Sequence, residues 1–291
     1  RGMDFRGTYT GTITPFKEDG TIDQKSFERL LKKQILAEVT GIVTCGCTGE
    51  GALLSDEESR ELIYKTVETC RDKVQVIAGT GRNSTTHAID MSLFAQEVGA
   101  DAVMVITPSQ TKPTQTGLAK HHTDIADALE IPILVYNIPG RTCARLEPET
   151  IIEISSHPRI AALKEASKSI EDTQKILSKS DMTVLSGDDS FTLSYLALGA
   201  RGVVSVASNL VPELVKQLVD QFMAGDLEAA RSTHFNLLPL VAALFAEANP
   251  IPLKAAMESM GLADGTPRPP LTRAQQRTVE LVEAQLSRLV I

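Results

Sequence analysis

Short runs of apolar and β-branched residues recur along the chain, and this repeat constrains the fold more than any other feature. Eight such runs occupy residues 7–16, 41–47, 74–81, 101–108, 132–139, 160–167, 182–189 and 202–208. Continuous apolar runs of this length are typical of strands that are buried on both faces. The pattern therefore predicts a large parallel sheet.

The segments between these runs have the periodicity of amphipathic helices. In residues 23–39, the apolar positions of one helical face are Phe27, Leu30, Leu31 and Ile35. Residues 55–58 read Ser-Asp-Glu-Glu, a capping box that marks the start of another helix. Strands that alternate with helices in this way predict an α/β protein, and eight repeats favour a parallel (β/α)₈ TIM barrel.

An open, doubly wound sheet is the alternative fold. Sheets of that kind often carry a dinucleotide-binding glycine fingerprint, but Gly79 and Gly81 are followed by Ser84 where the third glycine belongs. No P-loop lysine follows the glycines between residues 46 and 51. The sequence therefore favours the barrel.

The strand pattern ends near residue 224, and a small helical extension follows. Helices are predicted at residues 227–247 and 252–260, and a last helix is predicted to be capped by the Thr-Arg-Ala-Gln sequence of residues 272–275. The prolines of residues 265–270 predict a loop. We therefore expect a barrel domain over residues 3–224 and a helical domain over residues 225–291, with Arg1 and Gly2 set aside.

Composition and charge limit the partners of the chain. Its 291 residues are 42% apolar, and 37 acidic against 29 basic residues give a net charge of −8. A negative chain repels phosphate backbones and anionic lipids, and no apolar run approaches the roughly 20 residues that span a bilayer. We expect a cytoplasmic protein that binds neither nucleic acid nor membranes.

The cysteines indicate reduced thiols rather than a disulfide framework. They are Cys45, Cys47, Cys70 and Cys143, and none of their spacings is the Cys-x-x-Cys of zinc and redox motifs. Cys45 and Cys47 alternate with Gly46, so both thiols could point the same way from a strand. Two thiols do not make a metal site, and no metal is expected.

One lysine interrupts a strand whose other residues are small or apolar. Strand alternation places Lys164 on the same face as Ile160, Ala162 and Ala166, whereas Glu165 points to the other face. Active sites of such barrels lie at the carboxyl ends of the strands, which is where this lysine lies.

An ammonium group inside a barrel would lose hydration, and this loss lowers its pKa. A partly neutral Lys164 can attack a carbonyl carbon and form an imine, which is the lysine version of covalent catalysis. The alternative is a lysine that reaches solvent or a structural carboxylate such as Asp188.

Three other features near strand ends are candidate parts of a site. Tyr136 lies on the face of Leu134 and can relay protons, although a packing role explains it equally well. Arg141 follows in a turn, where a guanidinium can clamp a carboxylate or lie in solvent. Residues 47–51 form a glycine-rich turn whose amides and Thr48 hydroxyl suit a small anion.

Other polar residues favour structural roles. Asp188 and Asp189 are neighbours on a strand and face opposite ways, so they are predicted to support the fold rather than to form a carboxylate pair. The five histidines have no metal or triad spacing, and His121 and His122 predict an exposed helix face.

Five strings in order resemble the dihydrodipicolinate synthases and their pyruvate-dependent lyase relatives. They are Gly46-Cys47-Thr48-Gly49-Glu50, Tyr136-Asn137-Ile138-Pro139-Gly140-Arg141-Thr142, Leu163-Lys164-Glu165-Ala166, Ser186-Gly187-Asp188-Asp189 and Asn249-Pro250-Ile251-Pro252-Leu253-Lys254. The resemblance runs from Gly7 to the final helix. It is strong evidence for the superfamily and less decisive for the substrate.

The resemblance implies roles for particular residues. Lys164 would form a Schiff base with pyruvate, Tyr136 would relay protons, and Thr48 with the turn amides would hold the pyruvate carboxylate. Arg141 would bind the carboxylate of aspartate semialdehyde. Gly187 and Val204 would shape the floor of the pocket. The resemblance also implies a homodimer or homotetramer and no metal or organic cofactor.

The sequence departs from the synthase pattern at several positions. Cys47 stands where the first of two threonines is expected in the proton relay and the substrate pocket, and a thiol is a weaker hydrogen-bond donor. Ser109 and Gln110 stand where the pattern has two tyrosines. In the family's lysine feedback site Asn83 is retained, but His87 and Ser109 replace a carboxylate and a tyrosine, so we expect insensitivity to lysine.

Two other functions are consistent with the same residues. The first keeps the Schiff base and changes the acceptor, as in N-acetylneuraminate lyase or another pyruvate-dependent α-keto acid aldolase, and Arg141 argues against it. The second is a barrel that binds a keto acid without turnover, which the missing tyrosines allow because loss of an acid-base group need not abolish binding.

Overall fold

The computed structural model describes residues 3–289, and within them eight parallel strands close into a barrel in chain order. The strands are β1 (Gly7–Gly11), β2 (Gly41–Thr44), β3 (Gln75–Gly79), β4 (Ala102–Ile106), β5 (Ile133–Asn137), β6 (Ile160–Glu165), β7 (Thr183–Ser186) and β8 (Gly202–Ser205). The barrel closes where β1 pairs with β8. The predicted (β/α)₈ barrel is confirmed, and Arg1 and Gly2 lie outside the described residues.

Helices connect the strands and form the extension. Within residues 3–289 they are α1 (Gln24–Leu36), α2 (Asp56–Cys70), α3 (Thr85–Val98), α4 (Gln115–Asp127), α5 (Pro139–Thr142), α6 (Pro148–Ile154), α7 (Ile170–Lys179), α8 (Thr192–Leu198), α9 (Pro212–Met223), α10 (Leu227–Leu244), α11 (Ile251–Ser259) and α12 (Gln276–Arg288). None of these described helices has the length and apolar character needed to cross a membrane.

Side-chain alternation along the strands divides the core into two layers. The lumen is filled by one or more side chains from every strand, among them Tyr9, Val43, Ile77, Met104, Leu134, Ala162, Leu185 and Val204. A second layer lies between the strands and the surrounding helices and includes Phe27, Ile42, Leu62 and Leu163. Because the lumen is packed, a cavity can open only at its ends.

The register of β6 corrects one prediction about the lumen. Ile133 pairs with Ile160, but the next residue, Leu134, pairs with Ala162, so the register shifts by one residue. This bulge turns Ile160 into the outer layer. Ile160 therefore does not share a face with Lys164, whereas Ala162 does pack in the lumen.

Helix starts follow the side-chain signals in the sequence. The predicted capping box of α2 is confirmed, since the Ser55 hydroxyl accepts from the Glu58 amide while the Glu58 carboxylate accepts from the Ser55 amide. Asp23 caps α1, which ends at Leu36, before the predicted residue 39. These caps satisfy backbone donors that have no partner inside the helix.

The extension is helical as predicted, but the predicted cap of its last helix is wrong. The last helix begins at Gln276, and no side chain caps it. The reason is that Glu247 accepts from the Gln275 amide at 2.9 Å, so the capping box of residues 272–275 does not form. Residues 265–270 contain no helix, as predicted. The domain boundary at residues 224 and 225 stays a prediction.

His121 and His122 are buried, so the predicted exposed face of α4 is wrong. His121 is 4% exposed and His122 is 0% exposed. The His121 Nδ1 atom lies 2.8 Å from the Thr85 hydroxyl of α3, and the His122 Nδ1 atom lies 2.8 Å from the Leu118 carbonyl one turn earlier. Burial lowers the pKa of both imidazoles, that of His121 to about 4.

Candidate active site

A cavity of about 640 Å³ opens at the carboxyl ends of the strands. Its wall contains all seven residues that the sequence predicts for the site, which are Lys164, Tyr136, Thr48, Cys47, Arg141, Gly187 and Val204. The barrel brings them together because successive parallel strands end at the same rim. Residues 245–249, at the junction of α10 and α11, cover one side of the cavity.

The Lys164 amine lies inside this cavity without a carboxylate partner. Lys164 is 7% exposed, and among residues 3–289 no carboxylate oxygen lies within 4.0 Å of its Nζ atom. Burial lowers the pKa of Lys164 to about 8, against an opposing effect of Cys47 and Asp189. Asp188, the carboxylate considered as a structural partner, instead pairs with Lys168 at 3.1 Å.

Tyr136 lies directly beside the amine. The Lys164 Nζ atom is 3.8 Å from the centroid of the Tyr136 ring. Burial, with a further contribution from Cys47, raises the pKa of the Tyr136 phenol well above its ordinary value, while Arg141 acts in the opposite direction. The phenol therefore keeps its proton at neutral pH and can donate it.

Thr48 and Arg141 are joined by a residue that the sequence analysis did not assign. The Asn249 amide donates to the Thr48 hydroxyl at 2.9 Å, and the Asn249 carbonyl accepts from Arg141 Nη2 at 2.8 Å. Asn249 was visible in the fifth string of the resemblance. Nothing in its local pattern marked it as a bridge, because its two partners are more than 100 positions away.

Gly187 leaves space that any side chain would fill. A Cβ atom built on Gly187 would lie 2.9 Å from the Ala166 Cβ atom and 3.1 Å from the Lys164 Cγ atom. Both distances are shorter than ordinary van der Waals contacts, so a side chain at position 187 would collide with Ala166 and Lys164. The absence of a side chain at Gly187 therefore leaves room for Lys164. Val204 is 2% exposed, lies on β8 and lines the cavity.

Comparison with known proteins agrees with this geometry. The family model described as the dihydrodipicolinate synthetase family matches residues 4–289. The chain belongs to this family. It is 45% identical over 276 residues to the 4-hydroxy-tetrahydrodipicolinate synthase of Leptospira biflexa, covering 94% of each chain. It is 42% identical over 286 residues to that of Methanocaldococcus jannaschii, covering 98% of this chain and 99% of the relative.

Solved structures of the dihydrodipicolinate synthetase family have the same fold. The synthase of Methylacidiphilum fumariolicum SolV superposes with a TM-score of 0.96 at 40% identity, over 99% of this chain and 96% of the other. The synthase of Aquifex aeolicus also gives 0.96, at 38% identity over 98% of each. The family predicted from the five strings is confirmed.

The two thiols that could share a face do not do so. Cys45 has a left-handed backbone with φ of 57°, which interrupts strand alternation. Its side chain packs in the outer layer with its Sγ atom 3.8 Å from the Ser59 carbonyl. Cys47 instead lines the cavity beside Tyr136. At the position where the resemblance predicts a threonine, Cys47 therefore places a thiol at the cavity wall.

Asp189 and Asp188 support the rim, as predicted, but they lie in the turn after β7 and not on the strand, which ends at Ser186. The Asp189 carboxylate accepts from the amides of Val206 and Ala207 at 2.9 and 3.0 Å, which fixes the turn after β8. Burial raises the pKa of Asp189 against these hydrogen bonds. Asp188 accepts from the Ser190 amide at 2.9 Å and starts the turn after β7.

A buried ion pair ties the anion-binding turn to the helical extension, and the sequence analysis missed it. The Lys254 Nζ atom of α11 lies 2.5 Å from a Glu50 carboxylate oxygen, and both side chains are at most 1% exposed. The second Glu50 oxygen accepts from the Arg268 amide at 2.8 Å. Both partners were in the quoted strings, but 204 positions separate them and no local pattern pairs them.

Proposed function

We propose that this protein is a class I aldolase-type lyase that condenses pyruvate with aspartate semialdehyde to hydroxytetrahydrodipicolinate, in lysine and diaminopimelate biosynthesis. The observation that carries the proposal is the buried, carboxylate-free amine of Lys164 with a pKa of about 8. Membership of the dihydrodipicolinate synthetase family supports the choice of substrates.

The reaction begins when the neutral Lys164 amine adds to the keto carbon of pyruvate. Tyr136 donates a proton to the carbinolamine oxygen, water leaves, and an imine forms. The Tyr136 phenolate takes a proton from the methyl group and the enamine forms. The enamine carbon then attacks the aldehyde carbon of the acceptor, and Tyr136 returns the proton to the aldehyde oxygen. The acceptor's amino group then attacks the imine carbon, closes the ring and expels Lys164 as a free amine.

The other cavity residues bind and orient the substrates. Thr48 and the turn amides hold the pyruvate carboxylate, with Cys47 beside the proton path. Arg141 holds the carboxylate of aspartate semialdehyde in two-point fashion. Gly187 and Val204 form the floor of the pocket, beneath the bound pyruvate. No metal or organic cofactor takes part in these steps.

The proposal extends to the state of the protein in the cell. We place it in the cytoplasm as a homodimer or homotetramer, with no nucleic-acid or membrane partner. The four free thiols, Cys45, Cys47, Cys70 and Cys143, support a reducing compartment. Size-exclusion chromatography with light scattering tests the assembly, and a monomer at micromolar concentration would contradict it.

Borohydride reduction in the presence of pyruvate tests the chemistry. We expect a reduced pyruvate adduct on the peptide that contains Lys164, found by mass spectrometry. Lys164→Met should abolish the adduct, whereas the same substitution at the exposed Lys120 should leave it unchanged. Absence of the adduct in the wild-type protein would favour the barrel that binds a keto acid without turnover.

An assay with two acceptors then separates the lyase functions. With pyruvate present, aspartate semialdehyde should be consumed. With N-acetylneuraminate, the cleavage direction should give no pyruvate. Cleavage of N-acetylneuraminate and no turnover of aspartate semialdehyde would overturn the proposed acceptor while leaving the Schiff base intact.

A further inference from the structure

Lys168 places an additional cation at the mouth of the cavity. It lies in the loop between β6 and α7 with φ of 64°, a left-handed conformation that lysine rarely adopts and glycine adopts freely. Its side chain lines the cavity and is 58% exposed. The backbone at this position favours glycine, so the local conformation gives no reason for a lysine.

Asp188, the ion-pair partner of Lys168, has other hydrogen bonds that hold it in place. The Lys168 Nζ atom lies 3.1 Å from one oxygen of Asp188. The other Asp188 oxygen already accepts from the Ser190 amide at 2.9 Å and from the Ser190 hydroxyl at 2.5 Å. The Asp188 side chain is only 10% exposed, but the Lys168 side chain is 58% exposed, so solvent reaches the ammonium and screens the pair. The Lys168 ammonium can therefore exchange Asp188 for another anion.

The cavity wall contains two other cationic side chains, Lys164 and Arg141, and each of them already has a different task. Lys164 lies at the inner end and is reserved for the keto acid under the proposed function. Arg141 holds the Asn249 carbonyl with its Nη2 atom, so part of its guanidinium faces protein. A carboxylate that enters after pyruvate thus meets a partly occupied guanidinium and a freely exchanging ammonium.

We propose that Lys168 is an acceptor-specificity residue that gives the carboxylate of the second substrate an anchor in addition to Arg141. This inference rests on the proposed function, in which the acceptor is an amino acid aldehyde carrying one carboxylate and one ammonium group. When Lys168 moves onto the carboxylate, the released oxygen of Asp188 faces the ammonium. The pair thus matches both charges of the acceptor, and the pyruvate contacts proposed above do not involve Lys168.

Steady-state kinetics of Lys168→Gly test the proposal. This change relieves the left-handed backbone while it removes the charge, so the variant should fold at least as well as the wild type. We expect KM for aspartate semialdehyde to rise about tenfold, the size of one charge-assisted contact. KM for pyruvate and the borohydride-trapped fraction should stay unchanged, and Lys168→Arg should restore KM for the acceptor to within about twofold.

Lys112→Gly is the matched control. Lys112 is also an exposed lysine with a positive φ, 46°, but it does not line the cavity. Its replacement should leave both KM values unchanged. An acceptor KM in Lys168→Gly within twofold of the wild type, or an equal rise for pyruvate, overturns the role of Lys168. Failure of the wild-type protein to trap pyruvate would instead overturn the proposed function.

Discussion

Replacing Glu50 by glutamine removes the negative charge that faces a fully buried ammonium. The Lys254 Nζ atom lies 2.5 Å from Glu50 and would keep only the Thr266 carbonyl at 3.2 Å and the face of the Phe16 ring at 4.3 Å. The single oxygen of the glutamine can still accept from the Arg268 amide, but its NH2 group then faces the ammonium, so Lys254 loses both the charge and the acceptor. Leaving one half of a buried pair typically costs about 3–5 kcal/mol, and we expect Glu50→Gln to lower the free energy of unfolding by that amount.

Urea unfolding followed by circular dichroism measures this loss, and a thermal melt should show Tm lower by roughly 6–10 °C. Removing both charges in Glu50→Gln/Lys254→Met should cost at least about 2 kcal/mol less than the sum of the single changes, because no unpaired charge stays buried. Asp220→Asn, which breaks the exposed pair with Lys216, is the control and should cost under about 1 kcal/mol. A Glu50→Gln loss below about 1 kcal/mol, or additive single changes, would refute the reasoning.

Three further predictions follow from the electrostatics and the rim. With the pKa of Lys164 near 8 rather than 10.5, the neutral amine at pH 7 is about 300-fold more abundant. The rate of imine formation should therefore rise with pH and level off above about pH 8. A rate that does not change from pH 6 to 9 would contradict this prediction. The pKa of folded His121 is about 4, below its ordinary 6.5, so its contribution to stability is complete above pH 6.5 and is lost as the pH falls toward 4. Urea midpoints measured between pH 7 and 5 should fall less in His121→Gln than in the wild type. An equal fall in both proteins would show that His121 does not cause the loss of stability. Lysine should neither inhibit nor bind in calorimetric titration, since Asn83 Oδ1 already accepts from the Ser109 amide at 2.8 Å; micromolar binding would refute this.

The strand starts were predictable because burial on both faces leaves a clear apolar signal. Each observed strand begins within one residue of its predicted start, but the predicted ends run too far, as in β1, which ends at Gly11 rather than at residue 16. Residues beyond the strand, such as Ile13 and Thr14, are also buried because they form the packed rim of the barrel. Burial alone cannot tell a strand end from a buried turn.

The site residues were predictable from topology and resemblance together. A parallel barrel sends the ends of its strands to one rim, so Lys164, Tyr136 and Gly187 converge although they lie on different strands or turns. The contacts that tie the rim to the extension were not predictable, because Asn249 and Lys254 meet partners about 200 positions away. The β6 bulge was hidden for a different reason, since it depends on the pairing register with β5.

Burial shifts the pKa values of the nucleophile and of the proton donor in opposite directions. It disfavours charged groups, so it lowers the pKa of the Lys164 amine to about 8 and raises that of the Tyr136 phenol. At neutral pH the same dry environment therefore favours a neutral amine that can attack and a protonated phenol that can donate. Water admitted beside the amine would move the pKa of Lys164 back toward 10.5 and leave less neutral amine at pH 7, whereas the phenol stays protonated in either case. A change that opens the cavity near Gly187 or Val204 should therefore slow the attack on the keto carbon rather than the proton donation.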